Sequence, residues 1–313
     1  MSGDRGGCVH ILLSTFNGAA WLPQQLESLC AQTHDNWTLL WRDDGSVDAT
    51  AAVMAAFAAR VGPARCMQLK APAGHLGVRE SFLALLRAAA PSLGAADAVA
   101  FADQDDVWLG AKLARGMAAL ARVAPSVPAL VCTRQRLVDA TLAPRGLSPT
   151  LRRPPGFPAA LTQNIATGCT ILLNRSAAQL IAASHAPAPT LHDWWSYLMV
   201  AAAGGRVLMD ATPLVLYRQH GANTVGAPGT MPARALGALR RGPAAFMRTL
   251  RAHLAALAAQ PELMSAAARQ DVARLQAALA GGRLARLAVL RLPGLRRQTA
   301  LETLTFRLWF LLG

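Results

Sequence analysis

Between residues 9 and 134, short apolar runs alternate with segments of helical period, a pattern that builds βαβ units around a parallel sheet. Residues 9–14 read as a first strand and 21–31 as a helix, with Leu22, Leu26 and Leu29 on one face and Pro23 tolerable in its first turn. Residues 37–42 give a second strand, followed by a helix over 47–60 with Ser46 as its N-cap. Two further units follow: strand 66–69 with helix 78–90, and the wholly apolar strand 98–102 with helix 110–122. Beyond Val123 the alternation loosens. Residues 130–133 and 169–173 read as strands on either side of a loop-rich stretch holding Pro144, Pro149, Pro154, Pro155 and Pro158. Residues 193–203 read as a helix and 206–218 as strand, turn, strand. From about Pro232 the chain is Ala/Leu/Arg helix, broken near Pro243, Pro261, Gly281 and Pro293. The expected architecture is an α/β domain over 1–230 and a helical extension over 231–313.

A hydrophobic fraction of 53% with 15% charged residues in 313 excludes a disordered chain. No apolar run reaches the roughly 18 residues of a spanning helix. The polar start at residues 1–7 lacks the basic and apolar regions of a secretory leader, so a cytoplasmic protein is expected. Five cysteines, with no Cys-x-x-Cys pair, are read as free thiols rather than disulfides or metal ligands.

Charge is uneven. Residues 1–230 carry 18 basic and 14 acidic side chains, while 231–313 carry 13 arginines against Glu262, Asp271 and Glu302. In a parallel α/β sheet ligands bind at the carboxyl ends of the strands, and there the chain turns polar: Ser14-Thr15-Phe16-Asn17-Gly18, Asp43-Asp44-Gly45-Ser46, and Asp103-Gln104-Asp105-Asp106. Five of the 17 acidic residues thus fall at two strand ends. Crowded carboxylates repel unless a cation or a donor-rich ligand compensates. Hard oxygen ligands leaving room for water and phosphate suit Mg²⁺ or Mn²⁺. The alternative is that Asp105 or Asp106 merely stabilises the start of the next helix.

In order along the chain, Ile11-Leu-Leu-Ser-Thr-Phe-Asn-Gly18, Leu26-Glu-Ser-Leu-Cys-Ala-Gln-Thr33, Asp43-Asp-Gly-Ser-Val-Asp48 and Phe101-Ala-Asp-Gln-Asp-Asp-Val-Trp108 resemble the family 2 glycosyltransferases of GT-A fold, a Rossmann-like, mostly parallel sheet flanked by helices. Leu191-His-Asp-Trp-Trp195 and Tyr217-Arg-Gln-His-Gly-Ala-Asn223 look like the subgroup of bacterial rhamnosyltransferases and O-antigen enzymes. The resemblance covers roughly residues 8–225. It implies a metal held by Asp106 with Asp103 and His220, and Asp105 at the ribose or the metal's water. It also implies Asp44 at the nucleotide base beside Ser14 and Phe16, Arg218 and Arg79 at phosphate, and a turn at Asn223 and Gly226 over bound donor. Asp193 matches the general base that takes the acceptor's proton; the lesser alternative, compatible with that role, is an N-cap for the helix that follows. Trp108, Trp194 and Trp195 would offer indole faces to the acceptor sugar, with Trp195 the more buried of the last two; core packing is the ordinary alternative. Two departures stand out: Phe16 occupies the place of a usual Tyr, and His75, in Gly74-His-Leu-Gly77, that of a usual Asn.

The implied partners are a dTDP-sugar, most plausibly dTDP-L-rhamnose, or a UDP-sugar, and a lipid-linked glycan acceptor. Residues 284–312 set leucines among arginines and end in Trp309-Phe-Leu-Leu312, a pattern for helices lying on the anionic face of an inner membrane with an aromatic anchor. Packing on the catalytic domain or on a second copy in a homodimer fits equally. A nucleic-acid binder would interleave basic residues with exposed aromatics and would not have an acidic rim, so no nucleic acid is expected. A P-loop ATPase lacks its Gly-Lys-Ser/Thr cradle.

Overall fold

The computed structural model describes residues 6–70, 74–188, 190–221 and 231–313, the side chains of residues 231–241 excepted. Residues Asn223 and Gly226, and the boundary expected near 230, lie outside them. The strands are β1 (Val9–Thr15), β2 (Trp37–Asp43), β3 (Cys66–Gln68), β4 (Ala98–Ala102), β5 (Val107–Trp108), β6 (Ala129–Val138), β7 (Pro144–Leu147), β8 (Leu172–Asn174) and β9 (Arg206–Arg218). They form one mixed sheet in the order β3-β2-β1-β4-β8-β6-β9-β5, with β7 beside β6. The half from β3 to β4 is parallel. β8 then runs antiparallel to both β4 and β6, and β6 pairs with β9 in parallel.

Strand alternation builds two cores, one on each face. Ile11, Leu13, Leu39, Ala100 and Val131 share one with α1 (Leu22–Cys30), α2 (Thr50–Val61) and α4 (Lys112–Leu120). Leu12, Val99, Phe101, Leu130 and Leu173 share the other with α3 (Gly77–Ala89), α5 (Arg175–Ala183) and α6 (His192–Ala202). The same core continues into α7 (Met231–Ala258, broken at Gly242), α8 (Ala266–Ala280), α9 (Arg283–Val289) and α10 (Ala300–Leu312) through Leu250, Leu254, Leu275, Phe306 and Phe310. No helix among the described residues is long and apolar enough to cross a membrane.

Four expectations need correction. α2 starts at Thr50, not at 47, because Asp48 Oδ1 accepts from the Thr50 amide at 2.9 Å. Ser46 is no cap: its hydroxyl donates to Asp43 Oδ1 at 2.6 Å and accepts from the Asn17 amide at 2.9 Å, tying two loops together. β9 is one strand of 13 residues whose register slips opposite Thr133–Gln135, so the break expected inside it is a bulge and not a turn. Residues 168–170 form a short 3₁₀ turn before β8. α5, capped by Asn174, which accepts from the Ala177 amide at 3.0 Å, was not anticipated, nor were β5 and β7.

Candidate active site

The carboxyl ends of β1, β2 and β4 bring the three polar motifs together, as the parallel half of the sheet requires. Gln104 clamps the β1 loop, accepting from the Phe16 amide at 2.9 Å and donating to its carbonyl at 2.8 Å. Gly18 makes room for this: a Cβ there would stand 2.1 Å from Gln104 Oε1. The clamp leaves the Phe16 ring 44% exposed and 4.8 Å from the ring of His75, forming an open aromatic wall.

Behind that wall lies a closed polar chain. Ser14 donates to Ser81 at 2.7 Å, Arg42 reaches Ser81 at 3.1 Å and the Gly74 carbonyl at 2.8 Å, and Arg42 pairs with Asp44. Asp44 also accepts from the amides of Leu76 and Gly77 at 2.7 and 2.8 Å and has His75 Nδ1 at 3.0 Å. Burial works against its carboxylate, but these donors outweigh burial and hold it below the ordinary range. At 2% exposure, with both oxygens engaged, Asp44 shapes the pocket wall and is not free to accept from a nucleotide base.

The aspartates after β4 divide by depth. Asp103 and Asp105 are partly exposed, and Asp105 Oδ2 lies 2.8 Å from His220 Nε2. Asp106, expected as the main metal ligand, is fully buried, with Oδ1 accepting from the Arg218 amide at 3.1 Å and Oδ2 without a hydrogen-bond partner among the described residues. Asp103, Asp106 and Cys169 hold donor atoms within 4.8 Å of one another. Burial, then repulsion from Asp105 and Asp193, pushes Asp103 up to about 7, and burial with its two neighbours raises Asp106 well above the usual range. An orphaned buried carboxylate oxygen beside crowded acids, with an imidazole at the rim, suits a divalent cation. A second internal cation was not anticipated: Lys112 is fully buried, its ammonium 3.6 Å from the Trp108 ring centroid and without a hydrogen-bond partner among the described residues. Burial pushes it down to about 7, against the opposing pull of Cys169 and Asp106.

Arg218 is structural rather than phosphate-facing. Its guanidinium is buried against Trp21 at 4.5 Å and donates to the carbonyls of Asp105 (2.7 Å) and Ala140 and to Gln24. Trp21 also stacks on His220, centroids 5.3 Å apart, fixing that imidazole over Asp105. Arg79 pairs with Glu80 at 2.8 Å and donates to the Pro187 carbonyl at 3.0 Å.

Asp193 lies in the first turn of α6 but is not its N-cap, which is Leu191. It accepts from the Trp194 amide at 2.6 Å, with the Gly168 amide and Asn164 side chain also stabilising the anion; burial nevertheless dominates and pushes it up to about 6. Its charge bears on Asp103, and a Cβ at Gly168 would stand 3.7 Å from Asp193 Cβ, so α6 brings Asp193 against the turn that carries Cys169 of the cluster. The neighbouring His192 is buried, stacked on Phe82 at 4.0 Å, and pushed down to about 3, so it stays neutral.

The tryptophans correct the acceptor expectation. Trp108 is 2% exposed, on β5 under Lys112, and Trp195 is fully buried with its indole N–H donating to Ser184 at 2.7 Å. Both are core residues. Trp194 alone of the three is half-buried, donating to the Ala160 carbonyl at 2.8 Å, with its ring against His253 at 4.8 Å.

Residues 10–179 match the family model described as Glycosyl transferase family 2. The chain belongs to that family. Over 227 residues, 69% of this chain and 74% of the relative, it is 26% identical to the dTDP-rhamnosyl transferase RfbG of Shigella flexneri. Its fold is similar to that of S. aureus TarS 1-349 in complex with UDP-GlcNAc, at a TM-score of 0.58 and 13% identity over 85% of this chain and 70% of that one. The TarS 1-349 complex with UDP is similar at 0.55, covering 88% and 73%. The family 2 enzyme described here is thus a glycosyltransferase with a GT-A-like mixed α/β sheet and C-terminal helices. The family match ends at residue 179, before Asp193, Arg218 and His220.

Proposed function

We propose that this enzyme is an inverting, metal-dependent transferase that moves L-rhamnose from dTDP-L-rhamnose to a lipid-linked glycan acceptor in cell-surface polysaccharide synthesis. The observation that supports the reading is the Asp105–His220 pair beside the Asp103, Asp106 and Cys169 cluster, with the half-buried Asp193 carboxylate close enough for its charge to bear on Asp103. The rhamnosyl donor rests on the likeness to RfbG.

Asp106, through its orphaned Oδ2, and Asp103 would hold Mg²⁺ or Mn²⁺ together with the Asp105–His220 pair at the rim. Such an ion, when bound, neutralises the charge that gathers on a departing diphosphate. Phe16 and His75 line the nucleotide base, and the Ser14–Ser81–Arg42–Asp44 chain keeps that wall in place. Asp193 accepts the acceptor hydroxyl's proton as the oxygen bonds to the anomeric carbon and the sugar–phosphate bond breaks. Trp194, the half-buried member of the three tryptophans, meets the acceptor.

The test is a thermal-shift screen with dTDP, UDP, GDP and their sugars, with and without Mn²⁺, in wild type and Asp105→Asn. A ligand that binds only the folded state raises the melting temperature by mass action. Stabilisation by dTDP-rhamnose that needs the metal and disappears in Asp105→Asn is expected. A shift with UDP-sugars alone would move the assignment to a UDP-hexose or UDP-N-acetylhexosamine donor, and no shift with any nucleotide would overturn it.

A further inference from the structure

The C-terminal helices use one face for the core and leave another uncovered. On α10, Phe306 and Phe310 are fully buried and Trp309 nearly so; Phe306 and Trp309 pack against Phe246 of α7 with centroids 5.7 Å apart. The expected aromatic anchor is therefore part of the fold. The opposite face of the same helix carries Leu301, Leu304, Leu308 and Leu312, each at least half exposed. At 3.6 residues per turn these four fall within a stripe about 80° wide. Leu284 and Leu287 of α9, 84% and 49% exposed, add to it. Six of the ten exposed large apolar side chains among the described residues thus sit in these two short helices. The helices are neighbours, tied by Arg307 donating to the Leu290 carbonyl and Arg286 to the Phe310 carbonyl, each at 3.4 Å.

The charges around the stripe have one sign. Arg283, Arg291, Arg296 and Arg307 are exposed. The single acidic residue of 283–313, Glu302, is turned inward: it accepts from the Thr299 amide and hydroxyl at 3.1 and 2.9 Å in a capping box, and from Gln163 at 3.3 Å. A solvated surface helix would not concentrate leucines on its outer face, and a partner lacking negative charge would leave the arginines unmatched. We propose that the leucine stripe of α9 and α10 and its flanking arginines dock this enzyme on an anionic lipid bilayer, lying in the interface without crossing it. The inference does not depend on the donor or on the transfer chemistry.

The experiment is co-sedimentation of the full chain with vesicles of pure phosphatidylcholine or of equimolar phosphatidylcholine and phosphatidylglycerol. Wild type is expected to sediment with the anionic vesicles alone and to be released by salt. Leu304→Asn/Leu308→Asn should lower the partition coefficient by about tenfold or more, and Arg283→Ala and Arg291→Ala by about fivefold each. All four positions are exposed, so melting temperatures should match wild type, separating lost docking from lost folding. Wild type remaining in the supernatant, or leucine variants that sediment as well as wild type, would overturn the proposal. So would a wild-type dimer in analytical ultracentrifugation that the leucine variant converts to monomer without any vesicle binding; the stripe would then be covered by a second copy.

Discussion

Replacing Asp193 with Asn should make the protein more stable and nearly inactive. Asp193 has its carboxyl pushed up to about 6 from an unfolded value of 3.8. Its proton is therefore held more tightly in the folded state, and the stability this contributes is fully present below pH 3.8 and lost as pH rises through about 6. At about 1.4 kcal/mol per pKa unit, the ionised carboxylate disfavours the fold by about 3 kcal/mol at pH 7. A carboxamide removes that charge but turns an NH₂ towards donors at Gly168 and Asn164, which takes back roughly 1 kcal/mol. The net gain of about 2 kcal/mol corresponds to a melting temperature roughly 4 °C higher. Denaturant titrations should show the advantage at pH 7, then a small deficit below pH 4, where wild type is protonated in both states. Activity moves the other way: loss of a general base lowers kcat/KM by roughly 10²–10⁴-fold. In wild type, kcat/KM should fall on the acid side with a midpoint near 6, and this limb should be missing in the variant. A variant less stable at pH 7, one whose stability difference ignores pH, or one retaining activity within tenfold would refute this account.

Gly18→Ala puts a methyl group where Gln104 Oε1 now lies; Gln104 must withdraw from Phe16, and nucleotide affinity by calorimetry should drop about tenfold with little change in melting temperature. Arg218→Met strips the internal donor from Asp105, Ala140 and Gln24, and should destabilise by about 3 kcal/mol or more in chemical denaturation. EDTA should abolish transfer, and His220→Ala should raise the Mn²⁺ concentration needed for half-maximal activity at least tenfold, as expected for loss of one ligand.

The parallel half of the fold was legible because β4 is buried along its whole length and β1 at Val9 and Ile11–Leu13, so both read as short apolar runs. The strand-end motifs were legible for the same reason: once the strands are placed, Asp43, Asp103 and Asp105 must share a rim. Which of two adjacent aspartates faces outward was not, since it depends on the turn after β4, where Arg218 arrives from more than a hundred residues away to take Asp106. Trp21, Gln24 and Gln104 escaped notice because their roles arise only where separate elements converge. Lys112 stands at the start of a helix, where a lysine is ordinarily solvated, yet it is fully buried over the Trp108 ring of β5. Cys169 looked like one apolar-strand thiol among several until the turn at 168–170 carried it under the aspartates.

The helix that bears Asp193 is held on its outer side by the basic tail. His253 of α7 meets Thr190 at 2.6 Å and the Trp194 ring at 4.8 Å, and Leu250 and Leu254 belong to the same core as Trp195 and Leu198. The tail thus braces the helix that bears Asp193 as well as offering a surface. Exchanging it between relatives would disturb Asp193 unless α6 travelled with it, so the two segments should change together as sequences diverge.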